Sequence, residues 1–291
     1  MKTIGELGED GLIAALCRDL PTSDEVLVGP GDDCAVVEGS SLLTLLKTDA
    51  VVEGVHFLAS EDARRVGWKA VARVLSDFAA MGGKPGELLV TVALNPETPV
   101  AWVSELYVGM KACLAKHGGV IVGGETTSLP KGAPIMISVA GRGTVARSQV
   151  VTRSGGRPGD GIYVTGTLGG SIRGKHLDFT PRLVEADWLT QHFEINAMMD
   201  LSDGLAKDLP RLVRMSGCGF EMNRTLLPLS KGVSVEEALG DGEDYELLFT
   251  SADEITETWG TTFPDLPLTK IGELIQETGS LLEGGWDHFH R

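Results

Sequence analysis

The sequence predicts a mixed fold of the α/β or α+β class, divided into two domains. Short apolar runs that suit strands alternate with amphipathic stretches that suit helices along the whole chain of 291 residues. Short polar turns between neighbouring runs also permit antiparallel strand pairs. Residues 148–161 are rich in Arg, Gly, Ser and Pro, and the apolar pattern restarts after them. We therefore expect an N-terminal α/β domain at 1–147 and a C-terminal α/β domain at 148–291.

The N-terminal domain opens with an apolar stripe at helical spacing over residues 3–20, which predicts an amphipathic helix. Apolar residues at three- and four-residue spacing predict two longer helices, at 63–81 and 100–116. Short apolar runs predict the strands of this domain, at 26–28, 35–37, 42–46, 88–94, 120–122 and 135–141.

The C-terminal domain repeats the alternation of strands and helices. Helical patterns lie at 182–192 and 204–215. Strand patterns lie at 162–165, 195–199, 219–222, 245–250 and 268–271. The sequence contains no internal repeat and no low-complexity tract, so a solenoid or a propeller is not expected.

Composition and charge narrow the class of function. The formal net charge of -16 makes nonspecific binding to nucleic acid or to an anionic membrane unfavourable. An acidic protein that handles a polyanion needs metal ions between the like charges. The four cysteines form no Cys-x-x-Cys pair, and no apolar stretch has membrane-spanning or signal-peptide character. We expect a cytoplasmic protein with no nucleic-acid or membrane partner.

Acidic residues recur beside Gly, Ser or Thr at the ends of apolar runs. Hard oxygen ligands in such places suit magnesium and a phosphate-bearing substrate. Each motif also has a plainer explanation, such as an Asx-turn at Asp32 or a helix N-cap at Ser202 or Asp203. The motifs are Gly31-Asp32-Asp33, Thr48-Asp49, Leu75-Ser76-Asp77 and Asp200-Leu201-Ser202-Asp203-Gly204.

Two further polar motifs are candidates for phosphate contacts. The paired glycines of Gly123-Gly124-Glu125-Thr126-Thr127 follow a strand and would let backbone N–H groups approach a phosphate, although an ordinary glycine turn explains them as well. Arg153 could hold a phosphate through its forked N–H groups or remain a solvated linker residue. His56 could donate to a phosphate, but a lone histidine is more often structural.

The acidic segment Gly242-Glu243-Asp244-Tyr245-Glu246 heads a predicted strand. Strand alternation would send Glu243 and Tyr245 to one face and Asp244 and Glu246 to the other. An exposed acidic loop is the alternative interpretation.

Residues 169–175 read Gly-x-x-x-x-Gly-Lys after a strand, as a phosphate-binding P-loop does. His176 follows, where magnesium coordination in a P-loop requires Ser or Thr. The sequence therefore argues against a P-loop here.

Taken in order, the motifs resemble those of the thiamine-monophosphate kinase family. The resemblance implies a two-domain fold like that of aminoimidazole ribonucleotide synthetase, in which the N-terminal domain dimerises through its sheet. It also implies direct transfer of the γ-phosphoryl group of ATP to thiamine monophosphate with several Mg²⁺ ions, without a catalytic side chain that forms a covalent intermediate. The matching blocks are 31–35, 48–57, 75–82, 123–127, 152–160, 200–205, 242–247 and 285–289.

The resemblance also implies roles for individual residues. The family's thiamine monophosphate contacts correspond to His56, Glu243 and Trp286, whose indole face suits a cationic thiazolium ring. The family's nucleotide contacts correspond to Gly124, Glu125, Arg153, Ser202 and Tyr107. Its magnesium ligands correspond to Asp33, Thr48, Asp49, Asp77, Glu125, Asp200 and Asp203.

Three residues differ from the family's usual pattern. Glu125 stands in place of Asp, Val74 in place of Asn, and Lys47 in place of Ser or Thr. Two alternative functions therefore stay open. The chain could be another ATP-using enzyme of the same superfamily, or a nucleotide- and metal-binding paralogue without turnover.

Overall fold

A computed structural model of the chain describes residues 3–18 and 20–289. The first half forms a six-stranded sheet with the order β1-β2-β3-β6-β4-β5, in which the β4–β5 pair is parallel and the other pairs are antiparallel. The sheet is therefore mixed, as predicted. Its strands are β1 (Val26–Val28), β2 (Ala35–Val37), β3 (Leu43–Val52), β4 (Lys84–Leu94), β5 (Val120–Ser128) and β6 (Met136–Val145).

Two long helices cover one face of this sheet. Helices α3 (Ala63–Ala80) and α4 (Val100–His117) follow the short N-terminal helices α1 (Ile4–Leu7) and α2 (Glu9–Cys17). The α3–α4 contact is close because glycine stands at the crossing: a Cβ at Gly109 would lie 1.8 Å from the carbonyl oxygen of Arg64. Only a residue without a side chain lets these two backbones meet.

Replacing Gly109 with Ala should therefore lower the free energy of unfolding by about 1–3 kcal/mol, because the added methyl group meets backbone rather than a movable side chain. Urea denaturation measures the change. Gly260→Ala is the matched control, since a Cβ there meets nothing within 4 Å. Equal stability of Gly109→Ala and the parent chain would contradict the close packing of α3 against α4.

The second half forms a five-stranded antiparallel sheet with the order β8-β10-β7-β11-β9. Helices α5 to α9 and two 3₁₀ helices, Ser171–Arg173 and Arg224–Leu226, connect its strands. The strands are β7 (Gly161–Thr165), β8 (Ala197–Asp200), β9 (Gly219–Met222), β10 (Leu247–Ser251) and β11 (Leu268–Ile275). The helices are α5 (Lys175–Asp178), α6 (Leu183–His192), α7 (Leu205–Met215), α8 (Val235–Gly240) and α9 (Thr256–Thr262).

Helix α3 joins the two halves. It packs against β3, β4 and β6 of the first sheet and against α5, α6 and β8 of the second half. Trp68 on α3 donates a hydrogen bond from Nε1 to the carbonyl oxygen of Phe179 at 2.8 Å. Polar residues on α3 are therefore placed where the two halves meet. None of the helices within the described residues has the length and apolar character that a bilayer-spanning segment requires.

The helix predicted at 3–20 is wrong as a single element. It is divided at Gly8, whose φ of 73° lies in the left-handed region, and residue 19 lies outside the described residues. The apolar side chains of Ile13 and Leu16 are exposed rather than buried. Helical spacing therefore predicted helical structure correctly but did not predict the break at Gly8.

The strand predicted at 120–122 extends through Ser128, so Gly123 to Thr127 are strand residues rather than a phosphate-binding turn. Gly124 pairs with Val90, and a Cβ on Gly124 would lie 1.9 Å from the Val90 carbonyl oxygen. The glycine is explained by this close strand approach. Strands β3, β4, β6 and β11 are also longer than predicted, and α5, α8 and α9 were not predicted.

Candidate active site

A cavity of about 260 Å³ opens between the two halves. Its wall combines apolar surface with a few polar groups, the composition expected of a small-molecule site. All three predicted substrate residues, His56, Glu243 and Trp286, lie in this wall. The predicted nucleotide contact Ser202 and the predicted metal ligand Asp203 also line it. The other lining residues are Val55, Arg73, Ile172, Gly240, Asp241, Gly242, Tyr245 and His288.

A buried cluster of three carboxylates belongs to the same region. One oxygen from each of Asp33, Asp77 and Asp200 lies within 4.8 Å of the other two, a spacing that could hold a metal ion. Asp33 precedes β2, Asp77 lies on α3 and Asp200 ends β8, so both halves contribute. The hydroxyl of Ser76 donates to Asp200 at 2.5 Å. The structure thus brings together three of the seven predicted magnesium ligands.

The negative charges of these carboxylates repel one another when no cation balances them. Burial and the neighbouring Asp33 raise the pKa of Asp200 to about 6, and burial together with Asp33 raises the pKa of Asp32 to the same value. Burial also raises the pKa of Asp77 well above its usual range. A crowded set of buried oxygens whose ionisation is disfavoured is the kind of donor set that a divalent cation stabilises.

The raised pKa values of Asp32 and Asp200 predict that the ion-free protein loses stability as pH rises from about 4 to about 7. In that window the folded chain holds more protons on Asp32 and Asp200 than the unfolded chain does, so the free energy of unfolding falls with pH. Urea denaturation in a chelator measures it, and added Mg²⁺ should reduce the difference. Asp200→Asn should flatten the profile; an ion-free profile that rises with pH would contradict the argument.

Basic side chains surround the acidic cluster. Arg153 forms an ion pair with Asp33 at 2.5 Å, so this predicted nucleotide residue lies beside a predicted metal ligand. Lys47 Nζ lies 2.7 Å from Asp77 and 4.0 Å from Asp49. Burial opposes protonation of Lys47, but the charges of Asp77 and Asp49 raise its pKa. The acidic cluster is therefore partly neutralised by the chain itself.

Arg73 connects the cluster to the cavity. Its side chain lines the cavity, and its Nε lies 3.6 Å from Asp49. Its Nη1 donates to the carbonyl oxygen of Ala50 at 2.9 Å. The Nε of Arg73 is buried, and within residues 3–18 and 20–289 no group accepts a hydrogen bond from it. The cavity, Asp49 and the carboxylate cluster are thus neighbours in one continuous polar region.

Glu243 is held in the cavity wall by a fully buried lysine. Lys69 Nζ contacts Glu243 at 2.7 Å, His176 Nδ1 at 2.8 Å and the His56 carbonyl oxygen at 2.6 Å. Burial opposes ionisation of Glu243, but His176 and Lys69 lower its pKa to about 2. Its carboxylate is therefore charged and fixed in position at neutral pH.

The acidic segment around Glu243 is not a strand, because Glu243 and Tyr245 have φ values of 64° and 52°. Left-handed backbone at two residues other than glycine is strained and is often associated with function. The side chains nevertheless point to alternate sides, as the sequence predicted. Glu243 and Tyr245 line the cavity, whereas Asp244 and Glu246 contact Ser171 and Arg182 on the other side.

His56 is arranged as a neutral hydrogen-bond donor. Its Nδ1 accepts the backbone N–H of Val52 at 3.1 Å, which leaves the ring proton on Nε2. Burial and the charge of Arg73 lower the pKa of His56 to about 3. A neutral imidazole with Nε2–H suits donation to a phosphate oxygen.

The loop before α7 is fixed differently from the prediction. Neither Ser202 nor Asp203 caps the helix with its side chain; instead, Asp208 accepts hydrogen bonds from both of their backbone N–H groups, at 3.0 and 2.9 Å. Asp203 forms an ion pair with Arg211 at 2.5 Å. The backbone N–H of Trp286 donates to the Asp203 carbonyl oxygen at 2.8 Å, which fastens the C-terminal segment to this loop.

Four predicted residues are not brought to the cluster within one chain. Strand alternation directs Lys47 and Asp49 towards α3 but Thr48 to the opposite, outer face, where its hydroxyl lies 3.4 Å from that of Ser138. Glu125 is exposed and pairs with Thr91, which shares that outer face. The other two, Gly124 on the edge strand and Tyr107 on α4, do not line the cavity.

Strand pairing shows how far the edge strand is from the cluster. Asp49 pairs with Val139, Val139 with Val90, and Val90 with Gly124. Three strand spacings correspond to about 14 Å. Within one chain, Thr48 and Glu125 therefore lie apart from the acids around Asp77, and their roles as magnesium ligands stay predictions.

The P-loop-like segment binds carboxylates of the chain rather than offering its N–H groups. The N–H of Gly169 donates to Asp244 at 2.9 Å, and that of Gly170 to Asp241 at 2.7 Å. Lys175 pairs with Glu246 at 3.0 Å. These contacts agree with the prediction that the segment is not a phosphate-binding loop.

Sequence reasoning missed two basic residues of α3 and His176. Lys69, Arg73 and Asp77 recur at four-residue spacing in a part of α3, residues 66–80, whose other residues are apolar apart from Ser76, and this spacing places them on one side of the helix. That polar stripe was a usable signal. His176 had no comparable signal, because its partner Glu243 is distant in sequence.

Comparison with known proteins agrees with this geometry. The family described as AIR synthase related protein, N-terminal domain, matches residues 31–145. Residues 31–145 thus form a domain of the AIR synthase related class.

More specific relatives match nearly the full length. A thiamine-monophosphate kinase of Rhodopirellula baltica is 36% identical over 90% of this chain and 87% of the relative. One of Aquifex aeolicus is 35% identical over 98% of this chain and 99% of the relative. A solved structure of AaThiL complexed with AMPPCP and TMP has a TM-score of 0.87 at 34% identity and covers 99% of both chains. The chain therefore belongs to the thiamine-monophosphate kinase family.

Proposed function

We propose that the protein phosphorylates thiamine monophosphate to thiamine diphosphate by direct in-line transfer of the γ-phosphoryl group of ATP. The observation that carries this proposal is the position of the buried Asp33–Asp77–Asp200 cluster beside a cavity lined by His56, Glu243 and Trp286. Phosphoryl transfer needs positioning and charge neutralisation more than a covalent nucleophile. The cavity supports positioning of the substrate, and the carboxylate cluster supports charge neutralisation through bound cations.

Divalent cations are the proposed cofactors. Asp33, Asp77 and Asp200 would hold Mg²⁺ through carboxylate oxygens, with Asp49 and Asp203 at the edges of the same region. Bound Mg²⁺ would neutralise the phosphate oxygens of ATP and lower the cost of bringing two phosphorylated substrates together. Arg153, beside Asp33, would contribute a forked donor to the nucleotide, together with Ser202.

The cavity supports binding of a cationic heterocycle that carries a phosphate. Trp286 offers an indole face to the thiazolium ring, and the charged Glu243 balances its positive charge. The neutral His56 and the guanidinium of Arg73 lie on the side towards Asp49, where the phosphate would meet the cluster. The substrate would therefore span from Trp286 to the carboxylates.

The direct experiment incubates the purified chain with ATP, Mg²⁺ and thiamine monophosphate and follows thiamine diphosphate and ADP by chromatography. Equal amounts of the two products are expected. ADP formation only with a different acceptor would identify another enzyme of the superfamily. ATP binding without any turnover would identify a non-catalytic paralogue, and either result would refute the proposal.

Replacing Trp286 with Ala should raise KM for thiamine monophosphate by about 10- to 30-fold, corresponding to about 1–2 kcal/mol of cation–π and contact energy. KM for ATP should change little, because the proposed contact of the indole is with the thiazolium ring of thiamine monophosphate. Trp286→Phe is the control, and most of the affinity should return. Equal effects on both KM values would show that Trp286 does not distinguish the substrates.

We also propose that two copies associate through the outer face of the six-stranded sheet. Leu46, Leu89, Val120 and Val122 are large apolar residues exposed on this sheet or its edge strand. Thr48 and Glu125 share the outer face, so a second copy would bring Glu125 towards a nucleotide that its own chain does not reach. The nucleotide contacts of Tyr107, on α4, and of Gly124, on the edge strand, stay predictions.

Light scattering tests the dimer: the parent chain should be dimeric, and Leu89→Glu should be monomeric. Mixing tests the shared site. Asp77→Asn and Glu125→Gln chains, each inactive alone, should regain activity when hybrid dimers form, because one site then has both wild-type residues. No recovery in verified hybrids would contradict a contribution of Glu125 from the second copy.

A further inference from the structure

Lys47 lies beside two carboxylates of the acidic region, those of Asp49 and Asp77. It lies on β3 and points towards α3, where its Nζ is 2.7 Å from Asp77 and 4.0 Å from Asp49. Asp49 is also approached by Arg73 Nε at 3.6 Å. Asp49 is thus flanked by two cationic groups, and Asp77 is shared between Lys47 and the three-carboxylate cluster.

A divalent ion cannot share this space with the ammonium group. Mg²⁺ requires oxygen ligands at about 2.0–2.1 Å in near-octahedral geometry. An ion that bridged Asp49 and Asp77 would have to lie within ligand distance of both carboxylates, and Lys47 Nζ already lies 2.7 Å from one and 4.0 Å from the other. The two positive charges would also repel one another strongly at such a distance.

The cationic groups are numerous enough to replace an ion. Three basic side chains contact three of the four carboxylates around the cluster, namely Asp33, Asp49 and Asp77, which reduces the charge that divalent ions must balance. The basic residues are Lys47, Arg73 and Arg153, and the acidic residues are Asp33, Asp49, Asp77 and Asp200.

We propose that Lys47 is a built-in cation that takes the place of one divalent ion between Asp49 and Asp77, so that metal binding is confined to the Asp33–Asp77–Asp200 cluster. The inference rests on the proposed role of divalent ions at this cluster. It goes further because it assigns to Lys47 the role of one divalent ion. Its consequence is a smaller number of bound divalent ions than the carboxylates alone would allow.

Counting Mn²⁺ by electron paramagnetic resonance tests the proposal on the full chain without nucleotide. Lys47→Met removes the charge at similar length and should gain one tightly bound Mn²⁺ per chain relative to the parent. Lys47→Arg keeps the charge and should keep the parent number. Adding Asp49→Asn to Lys47→Met removes a ligand of the new site and should abolish the gain.

The same ion number in the parent chain and in Lys47→Met would overturn the proposal, as would a gain that persists without Asp49. If Lys47→Met does not fold without ions, unfolding temperatures of Lys47→Thr replace the count. They should rise with Mn²⁺ more than those of the parent, and an equal rise would refute the proposal. Because no turnover enters these measurements, a failed kinase assay would leave this test intact.

Discussion

Asp77→Asn should lower kcat by about a thousandfold while the chain remains folded, because several kcal/mol of metal-assisted charge stabilisation depend on this carboxylate. Asp77 is the residue at which the acidic cluster and the Lys47 contact meet. The amide keeps the size of the side chain but removes its charge, so the ion would lose a ligand without leaving a cavity.

Steady-state rates at saturating ATP and thiamine monophosphate measure the effect. Mn²⁺ affinity should fall in parallel, and circular dichroism should remain unchanged. Asp265→Asn, at an exposed position outside the cavity, is the matched control. Near-normal turnover of Asp77→Asn would exclude Asp77 as a metal ligand and remove the main support for the proposed mechanism.

Lys69→Met should produce the largest loss of stability, about 3–5 kcal/mol, because it removes one partner of a buried ion pair and leaves Glu243 without its ammonium. The same change should raise KM for thiamine monophosphate, since the carboxylate that faces the cavity would no longer be fixed. Urea denaturation and steady-state kinetics measure the two effects separately.

The double variant Lys69→Met with Glu243→Gln separates charge from packing. It should recover part of the lost stability, because no uncompensated carboxylate remains, but it should not recover substrate affinity. Lys131→Met is the control at an exposed lysine. If Lys69→Met were as stable as that control, the buried triad of Lys69, Glu243 and His176 would not be holding the cavity wall.

The fold class followed from the alternation of apolar runs, but the ends of several elements did not. Helix α3 was predicted almost to the residue because its apolar spacing is long and regular. Strand β5 was shortened in the prediction because its glycines look like a turn. Close packing against Val90 is a tertiary contact that no local pattern contains.

The site was predicted only in part, because motifs identify single residues but not the tertiary contacts between them. Asp33, Asp77 and Asp200 were identified from motifs, and the structure confirms that they converge. Alternation along β3 already places the side chains of Thr48 and Asp49 on opposite faces of the sheet, and the role of Thr48 as a magnesium ligand stays a prediction. The contact between Lys69 and Glu243 joins residues 174 positions apart and was not predictable from one sequence.

Two of the three unusual residues have a structural explanation. Val74 is buried and would be 2.9 Å from a Cβ on Gly141, so it serves the packing of α3 against β6. Lys47 lies among the carboxylates, where its charge has a direct electrostatic effect. Glu125 lies on the outer face, where we propose that a second copy brings it towards the nucleotide. The domain boundary between 147 and 148 stays a prediction.

The central claim is that carboxylates from both halves of the chain jointly bind divalent cations against the phosphates of ATP. Anomalous diffraction from crystals grown with Mn²⁺ and a non-hydrolysable ATP analogue tests it most directly. We expect Mn²⁺ peaks within ligand distance of Asp33, Asp77 and Asp200, in contact with the analogue's phosphates. Peaks only at other carboxylates, with the analogue bound away from the cluster, would contradict the account.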